Sequence, residues 1–347
     1  MPVIPNLLER AFFRAGLGPR PLVDIAAAAS FRALQAALRL ELFELLARGP
    51  RTADALARDL NADPTTLAAL LDLLEAAGHL RRRNGAYENS RDASRWLVRD
   101  AKGSSAAFVQ LWTDVVFDEW DTLETSLQSG HPAVHMHEWL TARGKWPLFN
   151  AAMAEFPRGA ADAVAAAVAL PARARSLLDV GGSHGLYAIA FCRRHPDLRA
   201  TIFDLPMALE RARDNVAAAG LGDRLVLRAG DLTVDDLGKG YDATLLFQLI
   251  HYYGDDVLPT LLGKVLAALQ PGGSVVILDQ LTLSPPTPAA RAFLRTLALQ
   301  YRVSLGGRLR PFGDVRRVLI DAGYVDVRRK RVLRVPGNEL VIARRPA

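Results

Sequence analysis

The stretch Asp179-Val-Gly-Gly-Ser-His-Gly185 follows a short apolar run, Ser176–Val180, and precedes a pattern of helical spacing. The apolar run is typical of a buried strand in a parallel sheet. Gly181, Gly182 and Gly185 allow a tight turn and a close approach of the backbone to a ligand. The helix after the turn offers free N–H groups and the positive end of its dipole. The stretch therefore predicts a strand–turn–helix unit that holds a ligand.

Asp204 indicates that this ligand contains a nucleoside. It ends a second predicted strand, nineteen residues after Gly185, and an acid at that distance usually binds ribose hydroxyls. A dinucleotide fingerprint ending at Gly185 would need glycine at position 180, which is Val180, and no Gly-Lys-Ser/Thr sequence follows for a P-loop. Asp179 suits a ligand with an amino group, such as S-adenosylmethionine. For the glycines taken alone, a purely structural turn stays the alternative.

Composition indicates a globular protein of about two domains. The net charge of +6 does not by itself indicate an anionic partner. Only five of the 43 basic residues are Lys, and the contents of Arg and Ala are high together, which can reflect the composition of the genome. Cys192 is the only cysteine and lies in a predicted helix, which excludes a disulfide framework. We find no apolar signal segment at the N-terminus and no run of about 18 apolar residues. We therefore expect a cytoplasmic protein without a membrane partner.

Residues 1–103 are predicted to form a mostly helical domain with a winged-helix outline. Phe31 and leucines 34, 38, 42 and 45 keep helical spacing, and Gly49-Pro50 is the predicted end of that helix. Thr52 and Asp63-Pro64 are predicted helix starts, and Asn84-Gly85 predicts the turn of a β-hairpin. We interpret the domain as one that pairs two copies of the chain.

A winged helix also raises the possibility of DNA binding, which the charges argue against. The helix predicted at 64–77 would enter the major groove, yet it contains no Lys or Arg and carries Asp72 and Glu75. A helix in that groove needs positive charge to offset the phosphates. We therefore expect a homodimer through this domain and no nucleic-acid partner.

Residues 104–172 are predicted to be a helical segment that lines a substrate pocket. The segment is rich in aromatic side chains, which are Phe108, Trp112, Phe117, Trp120, Trp139, Trp146, Phe149 and Phe156. Such stripes usually belong to a core, but they can also form the wall of a pocket for a planar molecule. His131, His135 and His137 lack suitably spaced further ligands, so we predict no metal site.

Residues 173–347 alternate between strand and helix patterns, which predicts a doubly wound α/β sheet. Strands are predicted near 176–180, 200–204, 224–228, 242–248, 274–280, 323–329 and 338–344. The last two have no helix between them and should pair as an antiparallel hairpin. Ligands of such sheets bind at the carboxyl ends of the strands.

His251 and Asp279 follow two of these strands, on the side of the sheet where the glycine turn lies. A histidine there can accept a proton at neutral pH, and a carboxylate can fix its tautomer. One histidine near a strand end is more often structural. The coincidence with Gly181 and Asp204 at the same rim favours a catalytic pair.

Together these features resemble the small-molecule O-methyltransferases of the caffeate and acetylserotonin type, with their bacterial natural-product relatives. The resemblance covers most of the chain. The motifs that carry it are Thr52-Ala-Asp-Ala-Leu-Ala, Phe149-Asn-Ala-Ala-Met153, Leu178-Asp-Val-Gly-Gly-Ser-His-Gly185, Phe203-Asp-Leu-Pro206, Gly230-Asp231 and Ile250-His251. It implies a Rossmann-like class I methyltransferase domain behind a dimerisation domain, with S-adenosylmethionine as methyl donor and S-adenosylhomocysteine as product.

The resemblance also implies roles for individual residues. The cofactor would be held by Asp179, Gly181, Gly182, Asp204, Asp231, Leu232 and Gln248, with Asp204 on the ribose and Asp231 and Leu232 at the adenine. His251 would be the general base, oriented by Asp279. Acceptor contacts would come from Phe149 and Met153, and from Phe293, Leu297 and Tyr301 in a helix at 290–301. The acceptor would be a small, aromatic molecule with a hydroxyl group.

The chain departs from the family pattern in three respects. Tyr252-Tyr253 follows the base where the family often has Asp-Trp, and Asp279 stands where it usually has Glu. Leu309 stands where the family usually has a second acid beside the base. These departures leave open a carbon or nitrogen acceptor and a non-methylating enzyme that keeps S-adenosylmethionine. The winged-helix outline leaves open an alternative of another class, a transcriptional regulator.

Overall fold

The computed structural model describes residues 7–19, 21–281, 287–332 and 337–347. The chain divides into two units, Met1–Thr113 and Asp114–Ala347, and each has a core of its own. The three-part division predicted from the sequence, with boundaries after residues 103 and 172, stays a prediction.

The first unit is mostly helical. Its helices are α1 (Leu7–Arg14), α2 (Pro21–Arg39), α3 (Leu42–Ala47), α4 (Ala53–Asp59), α5 (Pro64–Ala76), α6 (Arg91–Trp96) and α7 (Ala106–Leu111), and its strands are β1 (Arg51–Thr52), β2 (Leu80–Arg83) and β3 (Ala86–Asn89). The strands form a small sheet in the order β1-β3-β2. The predicted hairpin is confirmed: Asn84 and Gly85 both have positive φ (51° and 78°), as a two-residue turn of this kind requires.

Local signals for the helix starts are also confirmed in this unit. The Ala55 N–H donates to Thr52 Oγ1 (3.3 Å) at the start of α4, and the Thr66 N–H donates to Asp63 Oδ1 (2.7 Å) at the start of α5. The single helix predicted to end at Gly49-Pro50 is wrong. Glu41 adopts a left-handed conformation (φ 56°) and separates α2 from α3, while leucines continue to face the core on both sides of the break.

By length and composition, α2 could cross a membrane. The helix nevertheless contains Asp24 and Arg32, and Leu34 and Leu38 on its inner face are buried in the core of the first unit. Core helices pass the same test of length and composition, so α2 alone does not indicate a membrane.

The second unit alternates helices and strands. A π-helical turn at Trp112–Val116 leads into helices α8 (Phe117–Trp120), α9 (Leu123–Ser129), α10 (Met136–Ala142), α11 (Trp146–Arg158), α12 (Ala161–Ala167), α13 (Leu186–Arg194), α14 (Glu210–Ala219), α15 (Leu258–Ala268), α16 (Pro288–Leu305) and α17 (Phe312–Asp321). Its strands are β4 (Ser176–Val180), β5 (Arg199–Asp204), β6 (Leu225–Ala229), β7 (Tyr241–Phe247), β8 (Leu269–Asp279), β9 (Val325–Arg331) and β10 (Glu339–Arg344).

These seven strands form one sheet in the order β6-β5-β4-β7-β8-β10-β9. The first five are parallel, and β10 pairs antiparallel with both β8 and β9, which confirms the predicted terminal hairpin. Successive side chains of β4 face opposite sides, so that Leu177 packs in one apolar cluster and Leu178 in the other. The sheet is therefore covered by helices on both faces, as a doubly wound fold requires.

The sheet positions the candidate site through its order. Strand order reverses between β4 and β7, and a crevice at such a switch point is where ligands of these folds bind. The glycine turn follows β4, and Gln248 and His251 follow β7. Asp204 and Asp279 end β5 and β8, so all these residues lie along one edge of the sheet.

Candidate active site

Sterics explain the glycines of the turn after β4. Gly181 and Gly185 have φ of 69° and 70°, a region that favours glycine. Gly182 has ordinary φ, but a Cβ there would lie 2.8 Å from Asp179 Oδ2 and 2.8 Å from Ile202 Cγ2. The turn therefore lies directly against the carboxyl group of Asp179, with no space for a methyl group between them.

His184 performs a structural task in the same turn that the sequence motif does not reveal. Its Nδ1 accepts a hydrogen bond from the Leu186 N–H (3.1 Å), at the first residue of α13. Burial lowers the pKa of His184 to about 3, so the ring is neutral and can accept. The imidazole thus satisfies one of the free N–H groups at the start of the helix.

Asp179 and Asp204 form a pair of acids behind the glycine turn. Burial raises the pKa of Asp179 to about 7, and the nearby charge of Asp204 adds to the effect. Burial also raises the pKa of Asp204 to about 6, although that carboxylate accepts from the N–H groups of Ser183 (2.8 Å) and Leu205 (2.7 Å). Two acids held in this way favour a cationic ligand.

These residues fit S-adenosylmethionine. Asp179 Oδ2 is buried and has no hydrogen-bond partner among the described residues, so an ammonium group would satisfy it. Asp204 uses two of the roughly four acceptor positions of a carboxylate on backbone N–H groups, which leaves others for ribose hydroxyls.

The other predicted cofactor residues lie on the loops after β6 and β7. Asp231 Oδ1 accepts from the N–H and hydroxyl of Thr233 (2.8 and 2.6 Å). Leu232 is buried, and its carbonyl accepts from Lys264 Nζ (2.7 Å). Gln248 adopts a left-handed conformation (φ 54°), and its side chain donates to Asn338. The loops are therefore held in defined positions, but which atoms contact an adenosyl group stays a prediction.

His251 and Asp279 are brought together as the sequence predicts. His251 lies in a 3₁₀ turn at Ile250–Tyr252, and its Nδ1 is 2.7 Å from Asp279 Oδ1. The His251 N–H also donates to Asp279 Oδ2 (3.3 Å), and the Gln280 N–H donates to Oδ1 (2.7 Å). Both side chains are buried. With Nδ1 as the donor to the carboxylate, Nε2 is left to accept a proton.

Aromatic rings extend from His251 in two directions. Tyr301 of α16 stacks on the imidazole with 4.0 Å between ring centroids and 22° between planes. On the other side Tyr252 lies 5.0 Å from His251, His137 lies 5.8 Å from Tyr252, and Phe149 lies 6.4 Å from His137. We call these five residues the ring group. Two predicted acceptor residues, Phe149 and Tyr301, are thus connected to the predicted base.

The remaining predicted acceptor residues are placed unequally. Leu297 is buried one turn before Tyr301 on α16, and Met153 is half-buried one turn after Phe149 on α11. Phe293 exposes 52% of its surface, so the structure does not place it among the buried residues of the site. Its contact with an acceptor stays a prediction.

His137 is a site residue that sequence reasoning missed. The sequence presented it only as part of a loose histidine cluster, and among the described residues no group of three or more His, Cys, Asp or Glu could hold a metal. Burial lowers the pKa of His137 to about 4, so it is a neutral ring. Its contact with Tyr252 crosses more than a hundred residues of chain, and no local signal indicates it.

Glu119 is a second missed residue. Its Oε2 accepts from Gln300 Nε2 (3.0 Å) and from the Ser304 hydroxyl, and burial raises its pKa. Trp120 also donates to Gln300. These bonds join α8 to α16, the helix that carries Tyr301, across roughly half the chain, which the sequence pattern does not show.

Comparison with known proteins agrees with this geometry. The sequence-family model of the O-methyltransferase domain matches residues 135–325 of this chain. The family model of the O-methyltransferase dimerisation domain matches residues 25–100. A 3-hydroxy-5-methyl-1-naphthoate 3-O-methyltransferase of Streptomyces sahachiroi is 30% identical over 94% of this chain and 94% of its own. The tetracenomycin polyketide synthesis 8-O-methyl transferase of Streptomyces glaucescens is 30% identical over 91% and 93%.

A solved structure shares the fold over nearly the whole chain. The mitomycin 7-O-methyltransferase superposes with a TM-score of 0.83 at 26% identity, covering 96% of this chain and 99% of that one. Both units of the chain therefore have counterparts in known O-methyltransferases. The chain belongs to the family of S-adenosylmethionine-dependent O-methyltransferases of the natural-product type.

Proposed function

We propose that the enzyme methylates a phenolic hydroxyl of a small aromatic molecule and that His251 removes its proton. The observation that carries the proposal is the buried pair of His251 Nδ1 and Asp279 Oδ1, 2.7 Å apart, beneath the stacked ring of Tyr301. A carboxylate on one ring nitrogen stabilises the imidazolium that forms when the other nitrogen accepts a proton.

The chain's contribution to the reaction is orientation and proton removal. Bound S-adenosylmethionine supplies an electrophilic methyl carbon on a sulfonium group that leaves as a neutral thioether. Holding an acceptor oxygen in line with that carbon can lower the barrier by about 7–11 kcal/mol. A phenol has a pKa of about 10, so His251 needs to remove its proton only as the new bond forms. Asp279 holds the imidazole in the tautomer that can do so.

The ring group supports an aromatic acceptor. His137, Phe149, Tyr252 and Tyr301 offer flat apolar faces beside the base, and such faces pack well against a planar ring system. The naphthoate and tetracenomycin enzymes that resemble this chain have names that fit such acceptors. Membership of the O-methyltransferase family supports oxygen as the acceptor atom. The residues at which this chain departs from the family pattern, Tyr252, Asp279 and Leu309, then affect how His251 is held and not which atom is methylated.

Mutation of the proposed base tests the function. Wild-type enzyme is incubated with S-adenosylmethionine and a panel of hydroxynaphthoates, and S-adenosylhomocysteine is quantified. His251→Ala should lower kcat by about 10²- to 10⁴-fold, the usual contribution of general base catalysis. Its dissociation constant for S-adenosylmethionine, measured by calorimetry, should not change. Exposed His131 offers a matched control, His131→Ala. Equal turnover by wild type and His251→Ala would remove His251 from the mechanism.

We further propose that the enzyme is a cytoplasmic homodimer assembled through the first unit and does not bind nucleic acid. The matched dimerisation domain supports the pairing, as do apolar side chains of α2, such as Leu22 and Ile25, that expose more than half their surface. Against nucleic acid, α5 contains no basic residue and ends close to Glu75. The single buried Cys192 suits a reducing compartment.

A further inference from the structure

The loop at residues 306–311 lies directly on the 3₁₀ turn that carries His251. A Cβ at Gly307 would be 1.9 Å from the His251 carbonyl oxygen and 2.6 Å from the Tyr252 carbonyl carbon. The Gly307 N–H donates to the Tyr301 carbonyl (3.2 Å), which connects the loop to the residue stacked on the imidazole. The backbone of the loop and the backbone of the turn are thus in contact, and only glycine permits this approach.

Arg310 anchors the same turn through its guanidinium group. It is only 2% exposed, although it is a long charged residue. Nη1 donates to the Ile250 carbonyl (2.9 Å), and Nη2 donates to the Tyr253 carbonyl (2.7 Å) and to Asp255 Oδ1 (2.9 Å). The two carbonyls belong to residues on either side of His251 and Tyr252. One planar group therefore fixes both ends of the turn.

The turn needs such an anchor because it is short. Three residues of 3₁₀ helix have poor hydrogen-bond geometry, and the turn has an internal bond from the Tyr252 N–H to the Leu249 carbonyl (3.1 Å). Removing a guanidinium from water is costly, so a buried one persists where its hydrogen bonds are made. Leu309, at the position where the family resemblance places a second acid, lies buried in this loop and offers no charge to the imidazole.

We propose that Arg310 is a positioning residue for His251, which holds the imidazole between Asp279 and Tyr301 by fixing the backbone of its turn. The guanidinium of Arg310 and the close backbone contact at Gly307 thus act on the same turn. The inference rests on the proposed function of His251 as the base.

The test compares variants of the full-length enzyme saturated with S-adenosylhomocysteine. Arg310→Gln removes the planar fork and the charge, Arg310→Lys keeps the charge but not the fork, and Gly307→Ala displaces the turn while leaving Arg310 in place. Arg317→Gln is the control, because Arg317 is an exposed arginine of α17 that pairs with Asp314 rather than with a partner of Arg310. Nitrogen NMR of labelled histidines, assigned with His251→Gln, reports the tautomer and pKa of His251 without any acceptor.

In Arg310→Gln and Gly307→Ala, we expect mixed tautomers of His251, while the affinity for S-adenosylhomocysteine stays at the wild-type value. With an acceptor from the hydroxynaphthoate panel, kcat should fall by between about tenfold and hundredfold, since misplacement by about 1 Å has costs of that order. KM for S-adenosylmethionine should not change. Arg310→Lys should recover part of the loss, and Arg317→Gln should behave as wild type.

Wild-type histidine spectra in both Arg310→Gln and Gly307→Ala, with ligand affinity intact, would overturn the inference. Intact ligand affinity shows that a variant is folded, so Arg310→Lys, which keeps the charge but not the fork, decides the role of Arg310 if Arg310→Gln does not fold. The two levels of proposal fail separately. Full activity of His251→Ala would defeat the base assignment, whereas an inactive His251→Ala beside a fully active Arg310→Gln would defeat only the positioning role.

Discussion

Asp179 is a buried acid at the end of β4 whose Oδ2 has no hydrogen-bond partner among the described residues. A buried polar atom without a partner costs free energy, and a buried charge costs more. A proton on the acid offsets part of this cost, and so does a ligand or water that supplies a donor. The residue therefore couples the protonation state of the empty protein to the binding of a cation.

This coupling predicts a pH dependence of stability. In the unfolded chain Asp179 has its ordinary pKa of 3.8, whereas in the folded protein burial raises it to about 7. Between these values the folded protein keeps a proton that the unfolded chain has released. The free energy of unfolding of ligand-free enzyme should therefore decrease as pH rises from about 4 to about 7. Affinity for S-adenosylmethionine should increase over the same range, because the cation favours the ionised acid.

Urea denaturation at a series of pH values checks the first part, and calorimetry checks the second. Asp179→Asn removes this titrating group and should reduce the dependence of stability on pH, while Asp204, whose pKa burial raises to about 6, still contributes. The matched control is Asp321→Asn, which alters an exposed aspartate at the end of α17. If Asp179→Asn and wild type show the same slope, the titration belongs to another group.

At the scale of elements, the β4–α13 connection depends on the shape of the glycine turn. Gly181 and Gly185 adopt the left-handed conformation that the turn requires, and Gly182 leaves room for the Asp179 carboxyl group. Neutral His184 accepts a hydrogen bond from the Leu186 N–H at the start of α13. These tasks differ, so substitutions at the three glycines should have different consequences. Gly182 is the informative one, because its φ suits any residue and only its surroundings exclude a side chain.

Gly182→Ala should weaken binding of S-adenosylmethionine. A methyl group there would lie 2.8 Å from both Asp179 Oδ2 and Ile202 Cγ2, so the turn or the acid must move. Overpacking of this kind costs about 1–3 kcal/mol, which corresponds to about five- to hundredfold in affinity if the bound state bears it. Gly222→Ala is the control, because no atom lies within 4 Å of its Cβ position. Equal dissociation constants for both variants would show that the turn can shift to accommodate the methyl group without loss of affinity for S-adenosylmethionine.

The elements themselves were largely predictable, because each central strand is an apolar run bounded by turn residues. Predicted and observed bounds of β4 agree at residues 176–180, and those of β5 differ by one residue. The start of β8 was predicted five residues late, at 274 instead of Leu269, because Pro271 and two glycines read as a turn. The break at Glu41 was missed, since the helical spacing of the leucines continues across it. The left-handed conformation of a glutamate cannot be recognised from the spacing of apolar residues.

The site was predictable where its residues follow strands and not where helices bring them in. His251 and Asp279 could be paired because parallel strands end at one edge of the sheet. The ring of His137, the carboxyl of Glu119 and the guanidinium of Arg310 reach their partners from distant parts of the chain. Such contacts depend on how helices pack, and neither spacing nor composition encodes that packing.

At the scale of the whole molecule, exposed apolar side chains on α2 support association of two chains. Leu22 and Ile25 expose 58% and 63% of their surface in the single chain. Apolar groups at such positions are stabilised when a second copy removes them from water. The dimerisation-domain match begins at residue 25 and so covers most of this helix.

The double substitution Leu22→Glu and Ile25→Glu should convert the proposed dimer to a monomer. Four charges would then face one another across a twofold interface, two from each chain, and the apolar contact would be lost. Light scattering coupled to size-exclusion chromatography measures the mass directly. Leu127→Glu, which alters a leucine of α9 with 67% exposure, is the control and should stay dimeric. A dimeric double variant would place the interface elsewhere.

The position of β10 has a consequence for how the enzyme is made. Glu339 of β10 lies opposite Asp279 of β8 in register, and β10 separates β8 from β9. During synthesis β8 leaves the ribosome well before its partner, because α16, α17 and β9 are translated first. Until β10 is synthesised, the edge of β8 that pairs with it has unpaired backbone N–H and C=O groups, and such an edge is prone to incorrect strand pairing. Competence for proton removal should be among the last properties that a nascent chain acquires.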